Sequence, residues 1–142
     1  MGRTLLGIVA GLVVMFVVIA GIEALGHLLH PPPPGLDAMD PARQAEFEQY
    51  IQSMPLLPKL TLVLAWVAGA FAGGWTAARI AVHPRIAAAV VALVVIAGVV
   101  GMIVAVPHPS WLAAAGLILP LPAALLAARL ARPAANRSEP SE

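Results

Sequence analysis

The chain has 142 residues, no cysteine and a formal net charge of +1. Hydrophobic residues make up 61% and charged residues 11%, against roughly 45–50% and 25% in soluble domains, and the mean hydropathy is +0.92. A soluble domain of this size exposes too much of its area to hide that apolar surface, the charge gives no field to gather nucleic acid, and the missing thiols exclude disulfides, thiolate metal sites, iron–sulfur clusters and cysteine nucleophiles together.

The remaining solvent for such a surface is a lipid bilayer. Four apolar runs are long enough for the roughly 20 residues a spanning helix needs: about 5–29, 60–82, 86–106 and 111–130. None carries a charge near its middle. They lack the alternation of barrel strands, and open strands would leave backbone groups unsatisfied in lipid. The expected fold is all-α, a four-helix transmembrane bundle formed by one domain, 1–132.

The first run follows Arg3 and is too long for a signal peptide's apolar region. Ala20-Gly21-Ile22 and Ala24-Leu25-Gly26 are poor cleavage sites, so it reads as a retained helix. Gly7 and Gly11 form a small-xxx-small pair near its start. Glu23, His27 and His30, at i, i+4 and i+7, share one face at its far end.

The connection that follows is the only long one. Four prolines at 31–34 and Gly35 stop the helix. Asp40-Pro41 reads as an N-cap with proline at the first helical position. Phe47, Tyr50, Ile51 and Met54 then recur on one helical face, before Pro55 and Pro58 end the segment. This predicts a short amphipathic helix that lies on the outer membrane face or caps the bundle.

Gly69 and Gly73 form a second small-xxx-small pair in the second run, with Gly74 adjacent. The turn Val82-His83-Pro84 is tight, so the second and third helices should be antiparallel neighbours, with His83 a turn residue at headgroup level. Gly98 and Gly101 lie in the third run and Gly116 in the fourth. Lipid gives helices little hydrophobic reason to associate, so close approach over small residues matters. These glycines are expected to mark contacts inside the bundle, or else a seam between copies. Pro107-His108-Pro109-Ser110 is a short outer turn, Trp111 follows at headgroup level, and Pro120 and Pro122 predict a kink in the fourth helix. The tail, 133–142, is polar and expected to be disordered.

Four spans place Arg3, Arg79, Arg85, Arg129, Arg132 and Arg137 on one side. The other side has Arg43 and Lys59 among the acids Asp37, Asp40, Glu46 and Glu48. Arginine and lysine favour the cytoplasmic side, which predicts cytoplasmic termini. Arginine-rich basic usage with alanine, valine, leucine and glycine as filler is associated with GC-rich bacterial genes, hence an inner-membrane location.

Ionisable groups within spans are functional candidates. Glu23, His27, His30 and His108 fall at the same end and could converge. Imidazole and carboxylate suit zinc, copper or iron, a proton relay, or hydrogen bonds to a quinone or lipid headgroup. The alternative is purely structural: Glu23 bonds His27, or pairs with Lys59 or Arg43. No cofactor is implied. There is no glycine-rich phosphate loop, no Gly-x-Ser-x-Gly or His-Glu-x-x-His, and Ser53 and Ser110 are the only serines before the tail.

The run Glu23-Ala24-Leu25-Gly26-His27, the proline stretch with its amphipathic sequel, Gly73-Gly74-Trp75 through Arg79, and the Pro107-His108-Pro109 turn together resemble small four-helix bacterial inner-membrane proteins that are uncharacterised. The resemblance covers residues 1–132 and implies the fold but no mechanism. Microsomal glutathione transferases have similar length and helix number, but their polar, arginine-rich helix motif is missing. The expected function is a non-enzymatic accessory or structural membrane subunit, with the bilayer and a homo-oligomer or larger membrane complex as partners and no nucleic acid. The alternatives are a ligand, proton or metal site on the Glu23 cluster, and an oligomeric transporter or channel.

Overall fold

The structure, a computed structural model, describes residues 2–36, 40–106 and 108–131. Asp37, Pro107, Arg132, Arg137 and the polar tail, on which some of the expectations above fall, lie outside the described residues. The described chain is helical: α1 (Gly2–Leu29), α2 (Gln44–Ser53), α3 (Leu56–Ile80), α4 (Pro84–Ala105), α5 (Ser110–Ile118) and α6 (Pro120–Leu130). α1, α3, α4 and the pair α5–α6 (Ser110–Leu130 as one span) are each long and apolar enough to cross a membrane.

Prolines set most boundaries. α1 runs about 42 Å at 1.5 Å per residue and ends just before the prolines at 31–34, which supply no backbone donors. Pro84 begins α4 and Pro58 sits in the first turn of α3, where a missing N–H removes nothing from the helix. Pro58 therefore does not end the amphipathic segment, as its position suggested. It lies inside α3, which starts at Leu56 rather than near 60. The fourth span is interrupted at Leu119. Its N–H still bonds the Ala115 carbonyl at 3.0 Å and its carbonyl accepts from Ala123 at 3.2 Å. Pro120 and Pro122 have no N–H to offer the carbonyls of Gly116 and Ile118.

The spans alternate in direction, with glycine contacts fixing their register. An added Cβ on Gly7 would meet Ala77 and Ala81. One on Gly11 would meet Gly73, and one on Gly69 would meet Ile19, so α1 and α3 are antiparallel. Gly116 faces Trp66 and Gly74 faces Ala124, so the fourth span, α5–α6, runs parallel to α3. Both α1 and α6 pack on α3 and α4, but α1 reaches neither α5 nor α6. Among the described residues the spans thus form a rhombus in cross-section, with α3 and α4 on the short diagonal. Met15, Trp66, Val91, Val99 and Leu112 fill its middle, between alanines that are fully buried. Leu5, Val9, Phe16, Val17 and Leu28 of α1 face outward, which in a membrane means towards lipid.

The outer connection is tied down by polar contacts. Asp40 accepts from the Ala42 N–H at 2.9 Å, capping a 3-10 turn over Pro41–Arg43 that leads into α2. The amphipathic helix thus begins with a tightened first turn, common at helix N-termini. Its face buries Ile51 and half-buries Phe47, Tyr50 and Met54. Gln44 Nε2 donates to the Ala105 carbonyl at 3.0 Å, satisfying one of the orphan acceptors at the end of α4. Lys59 Nζ donates to the Gln52 carbonyl at 3.2 Å, placing a cation at the negative end of α2.

Candidate functional site

Glu23, His27 and His30 stand on the last turns of α1. His27 Nδ1 donates to the backbone carbonyl of Glu23 at 2.9 Å, a bond within its own helix. The carboxylate of Glu23 makes neither an ion pair nor a hydrogen bond among the described residues. Arg43 does not reach it. Its Nε and Nη2 hold Glu46 at 2.8 and 3.0 Å, three residues on, and its Nη1 also donates to the Gly35 carbonyl. The hydrogen bonds and charge of Glu46 raise the Arg43 pKa above its ordinary value. Lys59 is committed to Gln52. Of the expected pairings, Glu23 with His27 is formed through the Glu23 backbone carbonyl, whereas those with Arg43 and Lys59 are not formed among the described residues.

His108 is on another flank. Its Nδ1 donates to the Val106 carbonyl at 2.6 Å, and it borders a shallow apolar cleft with Trp66, Val99, Met102 and Leu112. That cleft lies between α3, α4 and α5, whereas α1 meets only α3 and α4. Glu23, His27, His30 and His108 share an end of the bundle but not a side. Among the described residues no three histidine, aspartate or glutamate side chains form a group able to hold a metal. The convergence of these four residues, and the metal centre built on it, is not assembled. Topology specifies an end; the flank depends on which helices touch. Detergent-purified wild type and His27→Ala are accordingly expected to carry equal metal, well under one equivalent, by elemental analysis. A stoichiometric metal lost in the variant would contradict this arrangement.

The glycines divide into two groups. Gly7, Gly11, Gly69 and Gly73 line the α1–α3 seam, with Gly74 on the α3–α6 seam and Gly116 against the Trp66 ring. Gly98 and Gly101 depart from the expectation of contacts inside the bundle. A Cβ added at either meets nothing within 4 Å, and both are exposed on α4. Trp66 was not singled out by sequence. Its position was the available signal: Trp75 and Trp111, 39% and 41% exposed, sit near helix ends, but Trp66 lies mid-helix and is 5% exposed. A tryptophan far from the headgroups belongs to packing.

At the opposite end from Glu23, the Arg79 guanidinium stacks 4.7 Å from the centre of the Trp75 ring. Two threonine hydroxyls within α3 bond their own helix: those of Thr61 and Thr76 donate to the carbonyls of Leu57 and Ala72. Thr4 Oγ1, in the first turn of α1, is buried without a partner among the described residues.

Fold and site together define a multi-pass α-helical membrane protein. Comparison of the chain with known protein families, curated proteins and solved structures found no match.

Proposed function

We propose that the chain is a non-enzymatic accessory or structural subunit of a bacterial inner membrane, with both termini in the cytoplasm, acting by packing against another membrane helix. The observation that carries this reading is the chemistry of the bundle interior. Among the described residues the buried side chains are alanine, valine, leucine, methionine, isoleucine, proline and tryptophan, and the one buried ionisable group is Lys59, at the margin and bonded to Gln52. A transport path or active site needs polar groups along it. Orientation is supported by arginine at one end and mixed charge at the other.

The docking face fitting this role is the outer side of α4. Leu93, Ala97, Gly98, Val100, Gly101 and Val104 are exposed there. Each glycine costs a helix about 1 kcal/mol relative to alanine, and these two return no packing among the described residues. A partner helix approaching over them would return it. A photo-crosslinking side chain at Leu93 or Val104 is expected to give one adduct of discrete mass in native membranes. Gly101→Leu should abolish it, and a crosslinker at lipid-facing Val17 should not form it. An adduct of twice the chain's mass would make the partner a second copy; a different mass would make it a larger complex. Labelling of lipid alone at all three positions would refute the reading.

A further inference from the structure

The two ends of the bundle differ in charge more than their residue counts suggest. The α1–α3 seam, with Gly11 against Gly73 and Gly7 against Ala77 and Ala81, carries Arg3 to the level of the end of α3. Arg79 and Arg85 flank the tight turn between α3 and α4. α6 lies parallel to α3 with Gly74 against Ala124. Five residues further along each helix, about 7.5 Å, stand Arg79 and Arg129. Four guanidiniums on four different spans therefore occupy one layer, and all four residues are exposed.

Nothing in the described chain neutralises that layer. Glu23, Asp40, Glu46 and Glu48 belong to the other end, and the one ion pair among the described residues, Arg43–Glu46, is there too. Like charges at the margin of a low-dielectric slab repel more strongly than in water and need counter-charge from beyond the described residues. Guanidinium offers a planar fork that fits phosphate oxygens bidentately. Trp75, 39% exposed, faces outward beside Arg79. Stacking holds one guanidinium face against the indole and leaves the N–H edges for an acceptor.

We propose that this arginine layer binds the phosphates of anionic phospholipids, with Arg79 on Trp75 as its best-ordered seat. A zwitterionic headgroup brings its own cation into the layer and is disfavoured; a net-negative one is not. The inference stands apart from the accessory role, because it concerns the ends of the spans and not the outer face of α4.

The test is electron paramagnetic resonance on the full chain in phosphatidylcholine bilayers, with a trace of spin-labelled phosphatidylglycerol or phosphatidylcholine. The ratio of their motionally restricted fractions gives relative association. Wild type is expected to favour phosphatidylglycerol by about threefold or more, since each basic residue near a headgroup layer contributes measurably, and 1 M sodium chloride should erode the preference. The quadruple variant Arg3→Gln, Arg79→Gln, Arg85→Gln, Arg129→Gln should fall to parity, and Arg79→Gln alone should lose more than Arg85→Gln. Arg43→Gln, at the other end, should leave the ratio unchanged. If the quadruple variant loses its helical circular dichroism, the Arg79→Gln and Arg43→Gln pair decides. Parity in wild type, or equal loss from Arg79→Gln and Arg43→Gln, overturns the proposal. So does displacement of lipid by inorganic phosphate at an ionic strength where chloride has no effect, because free phosphate would then be the ligand.

Discussion

Replacing Gly73 with alanine is expected to destabilise the bundle by about 2 kcal/mol or more, in the upper range for overpacking. The added Cβ would lie 2.6 Å from the Gly11 carbonyl oxygen, 2.8 Å from Met15 Cβ and 3.0 Å from Val91. The first contact is backbone, so no rotamer change relieves it and the two helices must separate along the seam. Gly11→Ala meets the mirror obstacle, 2.6 Å from the Gly73 carbonyl oxygen and 2.8 Å from Ala77. Since both variants open one seam, their double mutant should lose less than the sum. Gly98→Ala and Gly101→Ala add the same methyl where nothing stands within 4 Å. They should leave the isolated chain as stable or up to about 1 kcal/mol more stable through helix propensity. Unfolding in mixed micelles, followed by circular dichroism, separates the two groups. A Gly73→Ala variant that unfolds with wild type would mean the α1–α3 approach is wider than described.

The second large effect is expected at Trp66. The ring fills the notch at Gly116, where an added Cβ would be 2.6 and 2.8 Å from ring carbons, and Val99 closes the site. Trp66→Ala should cost about 3 kcal/mol, the low end for removing a buried tryptophan in soluble proteins. Within lipid the transfer contribution is small, because tails are as apolar as the side chain, and the lost contacts and cavity dominate. Gly116→Ala should also destabilise, but less so in a Trp66→Ala background, where the methyl enters the vacated space. That coupling of opposite sign is the measurement that checks the pair. If the two losses simply add, Trp66 and Gly116 are not in contact.

How far this was legible in the sequence differs between fold and site. The span count could be read directly because a backbone in hydrocarbon must bond to itself, which leaves a long apolar run few options. The amphipathic helix after Asp40 was equally readable, from the spacing of Phe47, Tyr50, Ile51 and Met54. Pro58 misled because proline's effect depends on position: it ends a helix from the middle and begins one from the first turn. The small-residue pairs of the first and second spans were visible as candidates. Gly98 and Gly101 looked the same, though they face away from the chain. Gly-x-x-Gly and Gly-x-x-x-Gly patterns specify a face that permits close approach, not what approaches it.

The candidate site was the least legible part. Glu23, His27, His30 and His108 were correctly read as residues of one end, because alternation of spans determines ends. Their separation came from the rhombic order of helices, in which α1 never meets α5. Sequence by itself therefore determined how many times this chain crosses and which charges collect at which end, since both follow from hydropathy summed along the chain. Tertiary structure decided which glycines are seams, where Trp66 lies and that the histidines stand on different flanks. Those outcomes depend on how each helix is rotated against its neighbours, and that rotation is set by short-range contacts between residues far apart in the chain, such as Gly11 with Gly73 and Gly116 with Trp66.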